Sequence, residues 1–150
     1  MIIEARKNGI VLKDVACLSL PLTLDCGEAF RWEEQTDGSW SGVAYGKYLN
    51  IKEENGIFIL KDTSLADFQA VWRRYFDLDR DYEAIRRSVD PEDAFLTSAI
   101  RCGYGIRILR QDLWEMIVSF LISQQNNIPR IRRCIANICE RYGERRQGSG

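Results

Sequence analysis

The feature that most constrains this chain is a change of side-chain period at Asp62-Thr63-Ser64. Before it, short segments alternate between apolar and polar residues and are separated by turn signals. After it, apolar residues recur at helical spacing. A chain patterned as strands and then as helices folds as an α+β protein, with helices packed on an antiparallel sheet. In the first part, residues 2–6 and 10–13 flank Lys7-Asn8-Gly9, where Asn-Gly marks a hairpin turn. Leu18-Ser19-Leu20-Pro21-Leu22 alternates but contains a proline, so it reads as an edge strand or an extended arm. Strands follow at 29–35, 40–45, 48–52 and 57–61, with turns at Asp37-Gly38, Gly46 and Asn55-Gly56. Such regular spacing describes a meander. Trp40, Gly42 and Ala44 alternate with Ser41, Val43 and Tyr45, and that alternation leaves open which face is buried.

Past the switch, Ser64 is placed to cap a helix, with Asp67 three residues on. Leu65, Phe68, Val71, Trp72, Tyr75 and Phe76 then form an aromatic stripe, read as core. Asp77-Leu78-Asp79-Arg80-Asp81 ends it. Further helices are expected at 82–88, at 92–101 after Asp90-Pro91, and on both sides of a polar knuckle. That knuckle, Ser123-Gln124-Gln125-Asn126-Asn127, follows the apolar body Leu113, Trp114, Met116, Ile117, Val118, Phe120, Leu121, Ile122 and precedes a helix over 128–142. Four consecutive amides offer both donors and acceptors, which suits base edges, and a helix N-terminus beside them suits a phosphate. The same residues also read as a capped helical hairpin with a solvated turn. The tail from Gly143 to Gly150 is small and polar.

Composition narrows the chemistry. The five cysteines form no CxxC pair, and there is no histidine, so a zinc site is not expected and free thiols in a reducing cytoplasm are. Without His, any acid–base step falls to a carboxylate, Lys or Tyr. No apolar run reaches the roughly 18–20 residues that a membrane helix requires. The net charge of -1 is unevenly spread, because the last fifty residues carry nine arginines and four acids. Arginine is suited to forked phosphate contacts, so this asymmetry points to a polyanion-binding face, with a solvated helix face as the alternative.

A second unusual stretch is Asp25-Cys26-Gly27-Glu28-Ala29-Phe30-Arg31-Trp32, where a glycine permits close approach to the backbone ahead of a strand. The ordered series CGEAFRW, WSGV, YFDLDRDY, GIRILRQD and SFLISQQNNIPRI, spread over roughly residues 17–143, resembles the 8-oxoguanine DNA glycosylase family. The resemblance implies an antiparallel-sheet domain similar to half of a TATA-binding-protein fold, expected over 1–88. It also implies the start of a helical domain over 89–150, stopping short of the helix-hairpin-helix. By the same resemblance the partner is double-stranded DNA containing 8-oxoguanine, with no cofactor and no membrane, in the cytoplasm (at the nucleoid in a bacterium). The oxidised base is flipped out because its glycosidic bond is inaccessible in the stack. Gly27 falls where the family's glycine carbonyl accepts the N7–H of that base. Gln124, Gln125, Asn126 and Asn127 fall in the gap-filling loop, and Arg130 where an arginine reads the orphaned cytosine.

Three positions depart from the family pattern. Gln125 replaces an asparagine, Leu113 a proline, and Glu28 an uncharged residue whose replacement by a carboxylate is unfavourable near DNA. The family's catalytic lysine and the following aspartate have no counterpart here. Lys7, Lys13, Lys47, Lys52 and Lys61 all lie in the β region and match no nucleophile motif. The expectation is a glycosylase and AP lyase by family, with these 150 residues inactive alone and no catalytic residue among them. A non-catalytic DNA-binding or interaction module is the alternative. In that form the second helix of the hairpin is expected to expose Ile131, Ile135 and Ile138 and to be poorly soluble or oligomeric.

Overall fold

The computed structural model describes residues 1–146. The last four residues of the tail, and with them the end of the expected 89–150 region, lie outside the described residues. Strands β1 (Ile2–Arg6), β2 (Gly9–Lys13), β3 (Trp32–Glu34), β4 (Trp40–Ala44), β5 (Lys47–Glu54) and β6 (Ile57–Lys61) form one antiparallel sheet in the order β1-β2-β6-β5-β4-β3. The β1–β2 hairpin turns at Lys7-Asn8. The register settles the open question of the meander. Ile10 pairs with Leu60, Leu60 with Ile51, and Ile51 with Trp40, so one buried row crosses four strands. Trp40, Gly42 and Ala44 therefore point inward, and Tyr45 lies exposed at the following turn.

The period change becomes one continuous helix lying on that face. It opens as α2 (Leu65–Asp67), winds as a π-helix over Phe68–Trp72 and closes as α3 (Arg73–Tyr75). Ser64 caps it, its hydroxyl accepting the Asp67 N–H at 3.0 Å. Of the stripe read as core, Phe68, Trp72, Tyr75 and Phe76 are buried with Trp32 against the sheet and Val71 packs partly against them, but Leu65 in the first turn is 46% exposed. The Trp32 indole N–H donates to the Tyr75 hydroxyl at 2.8 Å, and burial pushes the Tyr75 phenol above its ordinary range. Gly42 faces the Trp32 ring so closely that a Cβ would stand 2.4 Å from it. The close backbone approach allowed by this glycine makes room for the indole.

Two local expectations are corrected. Residues 18–22 are not an edge strand or arm; Leu20–Leu24 form a short helix, α1. Pro21 sits in its first turn, where a missing N–H is no loss, and Leu20, Thr23 and Leu24 bury one face. The strand expected over 29–35 is only β3, because the chain at 25–31 turns to meet the helices. The later helices are α4 (Tyr82–Arg87), α5 (Ala94–Cys102), α6 (Leu113–Ser123) and α7 (Ile128–Tyr142). Asp81, Asp93, Asp112 and Asn127 cap them with side-chain oxygens. The start expected at Glu92 moves to Ala94, since the acceptor that caps the helix is Asp93. Among the described residues no helix is long and apolar enough to cross a membrane.

The expected exposure of α7 is also corrected. Ile131 and Ile135 are buried, and Ile138 alone of the three is exposed. More of the exposed large apolar side chains lie on α5 and α6, where no residue is fully buried, than on α7.

Candidate nucleic-acid interface

The strap of residues 103–111, between α5 and α6, stitches the sheet side to the helices. The Ser19 N–H donates to the Gly105 carbonyl at 2.8 Å, and the Arg110 N–H to the Tyr75 carbonyl at 2.9 Å. Arg107 is buried at its centre. Its guanidinium donates to the carbonyls of Cys17 at 2.8 Å, Asp77 at 2.6 Å and Ala16 at 2.7 Å, and stacks on the Tyr82 ring. Desolvation lowers its pKa, so the three carbonyls and the ring stand in for the water it has lost.

The same strap holds the Gly27 loop. The Glu28 carboxylate accepts the Leu109 N–H at 2.9 Å, and the Glu28 carbonyl accepts the Gln111 side-chain N–H at 2.8 Å. This carboxylate, expected to be unfavourable toward DNA, is instead committed to the strap. Burial pushes its pKa up, and the Leu109 bond offsets part of that. Nearby, Arg31 pairs with Glu115 of α6 at 3.2 Å, and burial likewise raises the Glu115 carboxyl.

These clamps seat the loop on the α6–α7 turn. Gly27 has φ +89, a left-handed conformation that favours glycine. A Cβ there would lie 3.4 Å from the Ile128 side chain. Asp25 pairs with Arg132 of α7. Residues a hundred positions apart are thereby joined. Gly27, Glu28 and Phe30 form one wall of a groove of about 480 Å³ whose other wall is Met116, Ser119, Phe120 and Ser123 of α6. Arg74 and Arg110 lie on it as well.

The knuckle amides are placed less simply than their composition suggests. The Asn126 amide N–H donates to the Ile122 carbonyl at 3.0 Å, and its oxygen accepts the Asn127 N–H at 3.0 Å. The Asn127 side chain accepts the Arg130 N–H at 3.1 Å, which makes it the α7 cap. Gln124 donates to the Phe120 carbonyl at 3.3 Å. Gln125 takes φ +49 and makes the reversal, with its side chain exposed. The capped-hairpin reading is therefore correct for the DNA-free chain. Pro129 has no N–H and Asn127 takes that of Arg130, so the first turn offers a phosphate little beyond the Ile128 amide. Positive charge comes from the exposed guanidiniums of Arg130, Arg133 and Arg141 along α7.

Of the residues that the sequence singles out, Gly27 lies beside Ile128, the residue that follows the amide turn, and Arg130 sits in the first turn of the same helix. Sequence reasoning did not find Glu28 as the residue that ties the Gly27 loop to the strap, or Arg107 as the residue that ties the strap to the segments at 16–17 and 77. A lone arginine between two isoleucines (Ile106 and Ile108) was the available signal for Arg107. No local signal marked the Glu28 contact, which spans 81 positions.

A model of the 8-oxoguanine DNA glycosylase N-terminal domain matches residues 10–117. The N-glycosylase/DNA lyase of Saccharomyces cerevisiae is 30% identical over 144 residues, covering 84% of this chain and 37% of its own length. The Arabidopsis thaliana counterpart is 28% identical over 130 residues, 79% of this chain and 34% of its own. Among solved structures, MBOgg1 in complex with a low-affinity DNA ligand superposes with TM-score 0.94 at 42% identity, over 99% of this chain and 51% of that one. The Clostridium acetobutylicum 8-oxoguanine glycosylase/lyase, bound to duplex DNA with cytosine opposite 8-oxoguanine, gives 0.94 at 36% identity, over 100% of this chain and 51% of that one. The chain spans about a third of the length of these curated relatives and about half that of the solved structures. With strands β3 to β6, the aromatic helix and the glycine loop all within residues 10–117, the chain belongs to the 8-oxoguanine DNA glycosylase family.

Proposed function

We propose that this chain is the lesion-recognition part of an 8-oxoguanine DNA glycosylase and AP lyase, acting on duplex DNA in base excision repair. The observation that carries this is the closeness of Gly27 to Ile128, where a Cβ added to the glycine would stand 3.4 Å from the isoleucine side chain, so that the glycine loop lies beside the amide turn. In this reading the flipped base enters the groove beside Gly27, whose carbonyl accepts the N7–H carried only by the oxidised base. One such buried hydrogen bond can discriminate strongly, because the unoxidised base would leave the acceptor unpaired. Gln124, Gln125, Asn126 and Asn127 enter the vacated stack, and Arg130 forks onto the cytosine. DNA then replaces the local bonds that Asn126 and Asn127 make in the free chain, an exchange of hydrogen bonds rather than a net gain. Affinity therefore comes chiefly from the arginines. A cytoplasmic setting, at the nucleoid in a bacterium, goes with this reading.

The chemical step needs an amine nucleophile with a depressed pKa. None of the five lysines lines the Gly27 groove. Lys13, Lys47 and Lys52 pair with Glu4, Asp67 and Glu54 on the sheet side, and the Glu54 bond raises Lys52 rather than lowering it. In this reading these 150 residues supply lesion recognition, and the amine nucleophile is not one of them. The test is a titration with duplexes carrying 8-oxoguanine or guanine opposite cytosine, with borohydride trapping alongside. Expected are tighter binding to the lesion and no covalent adduct. Equal, salt-insensitive binding to both duplexes refutes recognition, and a trapped adduct refutes the division of labour.

A further inference from the structure

The Gly27 loop is tied at both ends to the same strap. Ahead of it, the buried Thr23 hydroxyl donates to the Gly105 carbonyl at 3.1 Å and accepts the Arg107 N–H at 3.2 Å. Behind it, the Glu28 carboxylate accepts the Leu109 N–H and the Glu28 carbonyl accepts the Gln111 side-chain N–H. Residues 105 and 107 thus hold one end and residues 109 and 111 the other, and only 25–27 lie between. Asp25 adds a tie to α7 through Arg132. Gly27 is the exception, because no backbone N–H of the described residues bonds to its carbonyl. An acceptor left free in a stretch this short, fixed on both sides, has its direction set by its neighbours.

We propose that Thr23, Glu28 and Gln111 are positioning residues for lesion discrimination: by fixing the chain on either side of Gly27 they set where its carbonyl meets the N7–H of the oxidised guanine. This rests on the reading of Gly27 given above and adds to it the residues that act through Gly27. The physical ground is a difference in tolerance. A hydrogen bond weakens steeply with distance and angle, so a small shift of the loop removes the preference for the oxidised base. Arginine contacts to phosphates are made by long side chains and are indifferent to the base, so the same shift leaves general DNA affinity in place. Glu28 acts here as an acceptor for the Leu109 N–H, a role that the side-chain oxygen of a glutamine fills equally.

The experiment titrates the full chain with duplexes carrying 8-oxoguanine or guanine opposite cytosine and reads the ratio of the two dissociation constants. Q111L removes the donor at the Glu28 carbonyl, T23V removes the buried hydroxyl at nearly constant shape, and E28Q keeps the Leu109 acceptor. Expected is that Q111L and T23V each lower the preference for the lesion about fivefold, one hydrogen bond's worth, with guanine-duplex affinity little changed. E28Q should keep the wild-type ratio. A variant that is partly unfolded weakens both duplexes by one factor, so the ratio separates positioning from stability. The wild-type ratio in both Q111L and T23V overturns the proposal. So does an E28Q ratio as low as that of Q111L, since E28Q retains the bond. A wild type that binds the two duplexes equally fails the recognition reading itself, and the positioning role falls with it.

Discussion

Replacing Glu28 by glutamine should stabilise this protein at neutral pH, whereas replacing it by alanine should destabilise it. The Glu28 side chain does two opposed things. Its oxygen satisfies the buried Leu109 N–H, and its charge is held where burial raises the pKa by more than that bond lowers it. The native state therefore binds this proton more tightly than the unfolded chain. The stability contributed is fully present below the unfolded value and is lost as pH rises through the native one. Glutamine keeps the acceptor and removes the charge. Alanine removes both and leaves the Leu109 amide unpaired, at a cost of about 1–3 kcal/mol. For a chain of this length that corresponds to a melting temperature lower by roughly 2–12 °C. Glu115 is also raised by burial, with the same sign, so the Glu28 effect is read as the difference between wild type and E28Q. Urea unfolding at neutral pH and at about pH 4 should show the E28Q advantage shrinking on acidification. If E28Q is as destabilised as E28A at neutral pH, the ionised acceptor is what the strap requires, and the reasoning is wrong.

Other substitutions test other joints. G42A puts a methyl against the Trp32 ring and the Arg31 carbonyl, both of which are held in place. Overpacking should cost about 1–3 kcal/mol or more in urea unfolding, and an unchanged midpoint would mean the indole can move. R107M strands three carbonyls and should cost about 3 kcal/mol or more, while a small effect would show that water replaces the guanidinium. Reversing Arg130 and Arg133 to glutamate should weaken DNA binding and reduce the salt slope by about 0.9 for each phosphate that is no longer neutralised. Unchanged affinity and slope would remove α7 from the interface.

The strands and most helix boundaries were legible because they rest on local chemistry. A hairpin forms at Lys7-Asn8-Gly9, although its two-residue loop is Lys7-Asn8 and Gly9 already pairs in β2; Ser64 caps a helix, and α7 begins at Ile128-Pro129 as its residues suggest. Residues 18–22 misled because a leucine–proline alternation fits an arm and a first helical turn equally. Burial of Leu20 and Leu24 under distant residues decided between them. The π turn at Phe68–Trp72 has no local signature in these residues.

For the proposed site, the sequence alone singled out the candidates: a glycine able to take positive φ, a run of amides and a helix rich in arginine. Only tertiary structure decided that they lie together. That depends on Arg107, Glu28 and the Asp25–Arg132 pair, whose partners are 30 to 107 positions away. It also decided that Gln124, Asn126 and Asn127 bond to nearby backbone in the free chain while the Gln125 side chain is exposed, and that α6 turns its apolar side outward. Periodicity reports that a helix has an apolar face, but not which way that face points, because direction is set by what the chain elsewhere offers it.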